Sequence, residues 1–117
     1  MSVKNVAIIG ANGFIGRQLT ETLMKKKDIR LFLFGKSPVP SFKHDLPYEQ
    51  LELLNTEQLN RCFKDIELVY YLASETIPAT SWENPLLEIE KNLKPFVHFI
   101  NTVSKLKTKK IVFVSSA

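Results

Sequence analysis

Short apolar segments alternate with amphipathic ones along the chain, and this alternation predicts strands and helices in turn. Five segments are rich in β-branched or aromatic residues and end near glycine, proline or polar residues, as buried strands do. They are Val3–Ile9, Arg30–Phe34, Tyr48–Leu54, Glu67–Ala73 and Lys110–Ser115. The proline-rich segment Lys36–Pro47 and the segment Ser74–Pro85 are predicted to be loops.

The segments with apolar residues at helical spacing are Phe14–Lys27, a segment from the cap residue Asn55 to about Lys64, and Leu86–Leu106. Lys25–Lys27 would lie at the carboxyl end of the first helix, where positive charge complements the helix dipole. Asn55, with Gln58 three residues later, suits the start of the second helix. Pro95 lies inside the third, so we expect a kink or a delayed regular start there.

The elements follow the order strand, helix, strand, loop, strand, helix, strand, helix, strand. Continuously apolar strands are typical of a parallel sheet that is covered on both faces. Right-handed crossovers between such strands place helices on both sides of the sheet. The sequence therefore predicts an α/β fold, a doubly wound parallel sheet with strand order 3-2-1-4-5.

A glycine-rich turn joins the first predicted strand to the first predicted helix. Gly10 permits a tight turn off the strand, Gly13 leaves the backbone bare where a pyrophosphate would approach, and Gly16 lets the helix pack closely on the sheet. The N–H groups at the helix start would face the phosphates. The residues of this turn that we expect to contact a dinucleotide are Gly10, Asn12, Gly13, Phe14, Ile15 and Gly16.

The spacing Gly-x-x-Gly-x-x-Gly resembles that of the short-chain dehydrogenase/reductase superfamily, in particular its extended branch, the NAD-dependent epimerase/dehydratase family. Leu68–Ser74 is similar to the family's fourth strand, and Lys110–Ala117 to its fifth strand and the serine turn that follows. Ser81–Pro85, followed by Asn92, resembles its Asn-Pro element and helix-borne Asn. The resemblance covers essentially the whole chain. It implies a Rossmann domain over residues 1–117 that binds NAD or NADP, in a family that acts on nucleotide-sugar substrates by hydride transfer.

The end of the second predicted strand bears on the choice of dinucleotide. NAD-preferring members of this fold usually carry Asp or Glu there, against the adenosine ribose hydroxyls. By resemblance, Gly35 takes the acidic position and Lys36 follows it. Lys36 attracts a 2′-phosphate, which favours NADP, or it is simply a solvent-facing loop residue. Because the epimerase branch mostly uses NAD, the choice between NAD and NADP stays open.

The resemblance implies further contacts with the cofactor. Glu52, with Leu53 beside it, falls where the family often has an acidic residue near the adenine amino group, a position that an exposed strand-end acid would also take. Asn92 would lie toward the nicotinamide. The backbone that would pass beside the adenosine and the diphosphate belongs to Leu72, Ala73 and Ser74.

The family's catalytic set implies a Tyr that deprotonates the substrate hydroxyl, a Lys four positions later that lowers its pKa, and a Ser or Thr after the fifth strand. Ser116 is the candidate hydroxyl partner, and Ser115 is the next choice. No tyrosine of this chain has a lysine four residues later. We therefore expect that the polypeptide as it stands does not complete the reaction.

Three functions stay open. The chain is the cofactor-binding part of a nucleotide-sugar epimerase, dehydratase or reductase whose substrate domain is absent, a non-catalytic NAD(P)-binding or sensing module, or an inactive truncated fragment. The apolar strand Lys110–Ser115 would have no neighbour on its outer edge, and such edges invite pairing with another chain. We therefore also expect that the isolated polypeptide associates, as a homo-oligomer, or is only marginally stable.

Composition and charge narrow the classes of partner. The 117 residues are 44% hydrophobic and 24% charged, as in one globular domain, and no apolar run approaches the ~20 residues of a membrane span. The net charge is +4, but aromatic residues do not alternate with the lysines, so we expect no nucleic-acid partner. A single cysteine, Cys62, indicates a reducing, cytoplasmic compartment. His44 and His98 form no ligand-spaced cluster with it, so no metal site is expected.

Overall fold

A computed structural model of the protein describes residues 3–40, 45–72 and 85–113, with side chains in the last range described from residue 93 onward. Its strands are β1 (Lys4–Ile9), β2 (Ile29–Gly35), β3 (Tyr48–Gln50), β4 (Leu68–Tyr71) and β5 (Lys110–Phe113). Its helices are α1 (Phe14–Leu23), α2 (Thr56–Phe63) and α3 (Pro85–Val103). Each of these elements overlaps the segment in which the hydrophobic pattern predicts it.

The strands form one parallel sheet in the order β3-β2-β1-β4-β5. The first strand of the chain is therefore the central one. It pairs with β2 from Lys4 opposite Ile29 to Ile9 opposite Phe34, and with β4 from Val6 opposite Leu68 onward. The predicted α/β fold, with a doubly wound parallel sheet in the order 3-2-1-4-5, is confirmed.

The core is divided between the two faces of the sheet, because successive residues of a strand point to opposite sides. Val6 and Ile8 of β1 face α1, whereas Ala7 and Ile9 face α2 and α3. The buried residues that complete the α1 side are Ala11, Leu23, Leu31 and Leu33. Those that complete the other side are Phe34, Leu51, Leu59, Phe63, Ile66, Val69, Tyr71, Phe99 and Val103. Helices on both faces explain why the strands are apolar at consecutive positions.

The first helix is shorter than its predicted span. It ends at Leu23, so Lys25–Lys27 lie beyond it and not in its last turn. The buried residues of α1 are Gly16, Thr20 and Leu23, and Met24, which follows, is 47% exposed. Past Leu23 the chain has no further apolar face to bury against the sheet, and the N–H of Lys26 donates to the Leu23 carbonyl in a tight turn (3.0 Å).

The third strand and the third helix also differ from their predicted bounds. β3 ends at Gln50 and not at Leu54, because the chain turns there, with the N–H of Asn55 donating to the Glu52 carbonyl at 3.0 Å. α3 runs from Pro85 through Pro95 without interruption, so the expectation of a delayed start is wrong. The predicted cap of α2 is confirmed: the Asn55 side chain accepts from the N–H of Gln58 at 3.1 Å.

At the edge of the sheet, β5 pairs with β4, and Phe113 at its end is 47% exposed. The predicted homo-oligomer stays a prediction.

Within the described ranges, no helix combines the length and the apolar character that crossing a membrane requires. Among the same residues, no group of three or more His, Cys, Asp and Glu side chains is placed to hold a metal ion.

Candidate functional site

The carboxyl ends of β1 and β2 are tied together by the turn that leaves β1. The N–H groups of Gly10 and Ala11 both donate to the carbonyl oxygen of Phe34, at 2.9 and 3.2 Å. Gly10 has φ of 91°, a backbone conformation that residues with a side chain rarely adopt. The turn thus leaves β1 at the point between β2 and β4 where the strand order reverses, which is where open α/β sheets bind their ligands.

Two glycines of this turn have different surroundings. A Cβ on Gly16 would lie 2.3 Å from the carbonyl oxygen of Gly10, so this glycine is required by the contact of α1 with the turn. A Cβ on Gly13 would be 3.5 Å from the same oxygen, an ordinary contact, and Gly13 is exposed. The packing of the protein therefore explains the glycine at position 16 but not the one at position 13.

The start of α1 presents backbone N–H groups beside the exposed Gly13. Gly13 is the N-cap residue and supplies no side-chain acceptor, and the first N–H bonded back to it is that of Arg17, at 2.9 Å. Helical geometry leaves the N–H groups before Arg17 without partners inside the helix. The first turn also carries no acidic side chain. A helix end of this kind favours a negatively charged group.

Phe14 and Ile15 lie at this helix start with large exposed fractions, 81% and 49%. They do not contribute to the buried core, whereas Gly16 and Thr20 of the same helix are buried. The hydroxyl of Thr20 donates to the carbonyl of Gly16 at 2.7 Å, which satisfies that buried polar group within the helix. Of the contact residues predicted in this turn, Gly16 is therefore buried, and the three exposed ones are Gly13, Phe14 and Ile15.

Lys36 directly follows β2, and its side chain is exposed. Its carbonyl oxygen accepts a hydrogen bond from the Gln50 side chain of β3, at 2.8 Å. Asn12 of the glycine turn reaches the same region, because its Nδ2 donates to the hydroxyl of Tyr48 at 2.9 Å. The glycine turn and the end of β2 are therefore joined through side chains of the edge strand β3.

Tyr48 and Gln50 are site residues that the sequence patterns did not point to. They stand two positions apart on a strand of three residues, next to the end of β2. The one sequence feature that could have indicated them is Gly35 at the end of β2, because a residue without a side chain leaves space for a large side chain from the neighbouring strand. The glycine alone does not identify which residue of the neighbouring strand occupies that space.

Glu52 lies just after β3 with an exposed side chain, and its N–H donates to Oε1 of Gln58 at 2.9 Å. Gln58 therefore braces the turn before α2 instead of reaching back to its own cap residue. Its Nε2 donates to the Gln50 carbonyl at 2.8 Å, which holds the same turn from the strand side. Leu53 is half-buried against the core on the α2 and α3 side. The contacts of Glu52 and Leu53 with a cofactor stay predictions.

A charged cluster links β3 to α2 next to this turn. The Glu49 carboxylate accepts from Arg61 at 2.6 Å, from Gln58 at 2.7 Å and from the Cys62 thiol at 3.3 Å. These hydrogen bonds, that from Arg61 first, lower the pKa of Glu49 to about 2. Burial, followed by the hydrogen bond to Glu49, raises the pKa of Cys62 to about 11, so the thiol stays protonated and weakly nucleophilic. The cluster fastens the edge strand and has no reactive group.

Leu72 follows β4, and its N–H donates to the carbonyl of Ile9 at 2.8 Å, so it lies beside the end of β1. The structure thus brings the glycine turn, Lys36, Glu52 and Leu72 to one edge of the sheet, where all five parallel strands end. Asn92 lies within α3, and its side chain is outside the described part. The remaining predicted site residues, Ala73, Ser74 and Ser116, also lie outside the described residues.

A family model matches nearly the whole chain. The model of the NAD-dependent epimerase/dehydratase family matches residues 6–117. The chain belongs to this family. Among curated proteins, a UDP-glucuronic acid decarboxylase 1 from Danio rerio is 27% identical over 93 residues, which are 76% of this chain and 22% of the decarboxylase.

Solved structures show the same fold in other proteins. A Thermus thermophilus UDP-glucose 4-epimerase in complex with NAD matches with a TM-score of 0.79 and 22% identity, over 96% of this chain and 37% of the epimerase. A short-chain dehydrogenase/reductase from Veillonella parvula in complex with NADP matches with a TM-score of 0.69 and 21% identity, over 97% of this chain and 48% of that protein. The chain therefore spans less than half the length of these proteins.

Proposed function

We propose that this chain forms the NAD(P)-binding part of a nucleotide-sugar epimerase or dehydratase. The observation that carries the proposal is the contrast between Gly16 and Gly13. Gly16 is required by the fold, whereas a Cβ on Gly13 would meet only one protein atom at an ordinary distance. A glycine that the fold does not need, at an exposed helix start, is what close approach of a diphosphate to the backbone requires.

The residues at this edge of the sheet fit the dinucleotide chemically. The N–H groups of Phe14, Ile15 and Gly16 would hold the diphosphate, because they have no partners within α1 and no acidic side chain stands in its first turn. Glu52 would accept from the adenine amino group, and Leu72 would contact the cofactor beside the end of β1. When bound, NAD or NADP accepts or donates a hydride. The protein's task is to bind and orient it.

The nucleotide-sugar substrate and the hydride-transfer reaction are supported by the family and by the names of the similar proteins. In this proposal Ser116 hydrogen-bonds the substrate hydroxyl that loses its proton, and Asn92 lies on the nicotinamide side. The Tyr-x-x-x-Lys pair that the family uses for proton transfer is not among these 117 residues. In this proposal, residues 1–117 form the dinucleotide-binding domain. The proposal also includes the cytoplasmic location that the single cysteine predicts.

A second candidate function is a non-catalytic module that binds or senses NAD(P). Both candidates require the same dinucleotide site, so they are separated by chemistry and not by binding. Because these 117 residues lack the Tyr-x-x-x-Lys pair, a turnover assay on them alone does not separate the candidates. A Tyr-x-x-x-Lys pair in the coding sequence downstream of Ala117 would support the enzyme, and a coding sequence without such a pair would support the module.

Calorimetric titration with NAD and with NADP tests the shared site. We expect Gly13→Val to weaken binding of the preferred dinucleotide at least about tenfold, a loss of about 1.4 kcal/mol, because the branched side chain occupies the path of the diphosphate. Gln18→Val is the matched control: it places the same side chain on the exposed face of α1, away from the turn. Equal binding by Gly13→Val and the wild type would refute the proposed site.

A further inference from the structure

One hydroxyl group joins three parts of the candidate site. The Tyr48 hydroxyl donates to the carbonyl oxygen of Ser37 at 2.7 Å and accepts from Nδ2 of Asn12 at 2.9 Å. Ser37 belongs to the segment after β2, and Asn12 to the glycine turn. Tyr48 itself comes from the edge strand, where its ring packs against the core on the α1 side. Removing this single oxygen would break one hydrogen bond to the turn and one to the segment after β2.

The same hydroxyl occupies the space above Gly35, the last residue of β2. A Cβ on Gly35 would lie 2.6 Å from the Tyr48 hydroxyl oxygen and 3.1 Å from Nδ2 of Asn12. Any side chain at position 35 would therefore displace the tyrosine. In dinucleotide-binding sheets, a carboxylate in this part of the chain binds the 2′-hydroxyl of NAD. Here Tyr48 and Asn12 fill the place that such a carboxylate would need.

The segment after β2 is held by a second bond from the same strand. Gln50 donates to the Lys36 carbonyl at 2.8 Å, while Tyr48 donates to the carbonyl of the next residue, Ser37. Two successive carbonyls are thus fixed by two side chains of β3. This fixes the backbone from which the exposed, positively charged Lys36 extends. A cation presented at this position attracts a 2′-phosphate, which NADP has and NAD lacks.

We propose that Tyr48 is a positioning residue that makes the site selective for NADP over NAD. It excludes an acidic side chain from position 35 and orients Lys36 toward the 2′-phosphate. This inference rests on the proposed function, because it assumes that a dinucleotide binds at the glycine turn. It adds which of the two dinucleotides is preferred and which residue determines the preference.

Calorimetric titration with NADP and with NAD tests the inference in wild type, Tyr48→Phe, Lys36→Ala and the double variant. We expect the wild type to prefer NADP. Tyr48→Phe is expected to weaken NADP binding up to about tenfold, the value of one hydrogen-bonded link, and to change NAD binding much less. In the Lys36→Ala background, Tyr48→Phe is expected to leave the ratio of the two affinities unchanged, because the tyrosine acts through Lys36.

Thermal unfolding without cofactor checks the contact itself. Gly35→Ala is expected to lower the unfolding midpoint, and adding Tyr48→Phe to restore part of the loss. The added change removes the 2.6 Å contact and leaves the ring carbon at 3.4 Å and Asn12 Nδ2 at 3.1 Å from the new Cβ. Failure of this rescue would refute the exclusion of side chains by the Tyr48 hydroxyl.

The binding measurements distinguish failure of this inference from failure of the proposed function. Wild-type affinities that are equal, or higher for NAD, would overturn the NADP preference while leaving the proposed function intact. A loss in Tyr48→Phe that is the same for both dinucleotides would assign Tyr48 a merely structural role and overturn its part in selectivity. A wild-type protein that binds neither dinucleotide would refute the proposed function, and this inference with it.

Discussion

A Cβ atom on Gly16 would lie 2.3 Å from the carbonyl oxygen of Gly10. It would also lie 2.8 Å from the Cα of Ala11, so both neighbours are backbone atoms that cannot rotate away. The first turn of α1 therefore rests directly on the turn that leaves β1. This contact sets the distance between the helix start and the sheet, and so sets where the free N–H groups of the helix are presented.

Gly16→Ala is expected to lower the free energy of unfolding by about 1–3 kcal/mol, because the added methyl group forces the helix away from the turn. Chemical denaturation followed by circular dichroism measures this loss. Gly13→Ala is the matched control and is expected to cost less than about 1 kcal/mol, since its Cβ meets only an ordinary contact at 3.5 Å. Equal losses in the two variants would contradict the different tasks assigned to these glycines.

The Glu49 carboxylate is expected to make stability depend on pH in the acid range. Its pKa is about 2 in the folded protein against an ordinary value of 4.5, so its contribution is complete above pH 4.5 and is lost as the pH falls toward 2. The Glu49 side chain is 37% exposed, and solvent screening reduces this contribution to about 1 kcal/mol. Urea denaturation at a series of pH values measures it.

Two variants test the origin of that pH dependence. Glu49→Gln removes the titrating group, so the part of the acid dependence due to this residue should disappear. Arg61→Gln removes the hydrogen bond that lowers the pKa of Glu49 most, so the midpoint of this part should move toward the ordinary value. A wild-type acid profile in both variants would show that the cluster does not act as a unit.

The thiol of Cys62 is expected to react slowly with iodoacetamide at pH 8. Its pKa of about 11, due first to burial and then to the hydrogen bond with Glu49, leaves little thiolate at that pH. In Glu49→Gln the second cause is removed, and alkylation is expected to accelerate, though less than in urea-unfolded protein. Mass spectrometry of timed samples follows the reaction. A folded thiol that reacts as fast as the unfolded one would contradict this environment.

The aromatic cluster under α3 is expected to contribute strongly to stability. Phe99 is fully buried and packs edge-on against Phe63, with ring centroids 5.1 Å apart. Phe99→Ala is therefore expected to cost about 3–5 kcal/mol in the free energy of unfolding, from lost burial and the cavity that remains. Leu93→Ala on the same helix, at a position 51% exposed, is expected to cost far less. Chemical denaturation of the two variants measures both losses, and equal losses would contradict the role assigned to Phe99.

The parts of the fold that sequence predicts well rest on local patterns. The alternation of apolar strands and amphipathic helices yields the strand order, because parallel strands joined by right-handed crossovers leave few arrangements. The spacing of Gly10, Gly13 and Gly16 identifies the turn, and Asn55 identifies a helix start, since each of these uses residues that lie within a few positions of one another. Helix ends are less well predicted: the charge of Lys25–Lys27 is compatible with the end of α1, but the loss of buried contacts after Leu23 decides it.

The contacts of Tyr48 and Asn12 around Gly35 join residues that are distant in the chain, so local sequence patterns do not predict them. Asn12 and Tyr48 are 36 positions apart, and they meet only because β2 lies between β1 and β3 in the sheet. Gln58 likewise turns away from its own helix cap, because the backbone of Glu52 lies within its reach. Polar side chains of this kind have several possible partners along the chain, and tertiary packing selects among them.

Among the five described strands, the first in the chain, β1, lies in the middle of the sheet. Pairing of β1 with β2 involves segments close in the chain, so this unit can assemble early. The other edge of β1 must wait for Leu68–Tyr71 to be synthesised, and until then it presents unpaired peptide groups. Deletion of β1 would accordingly divide the sheet at its centre, whereas deletion of β3 would remove only an edge strand.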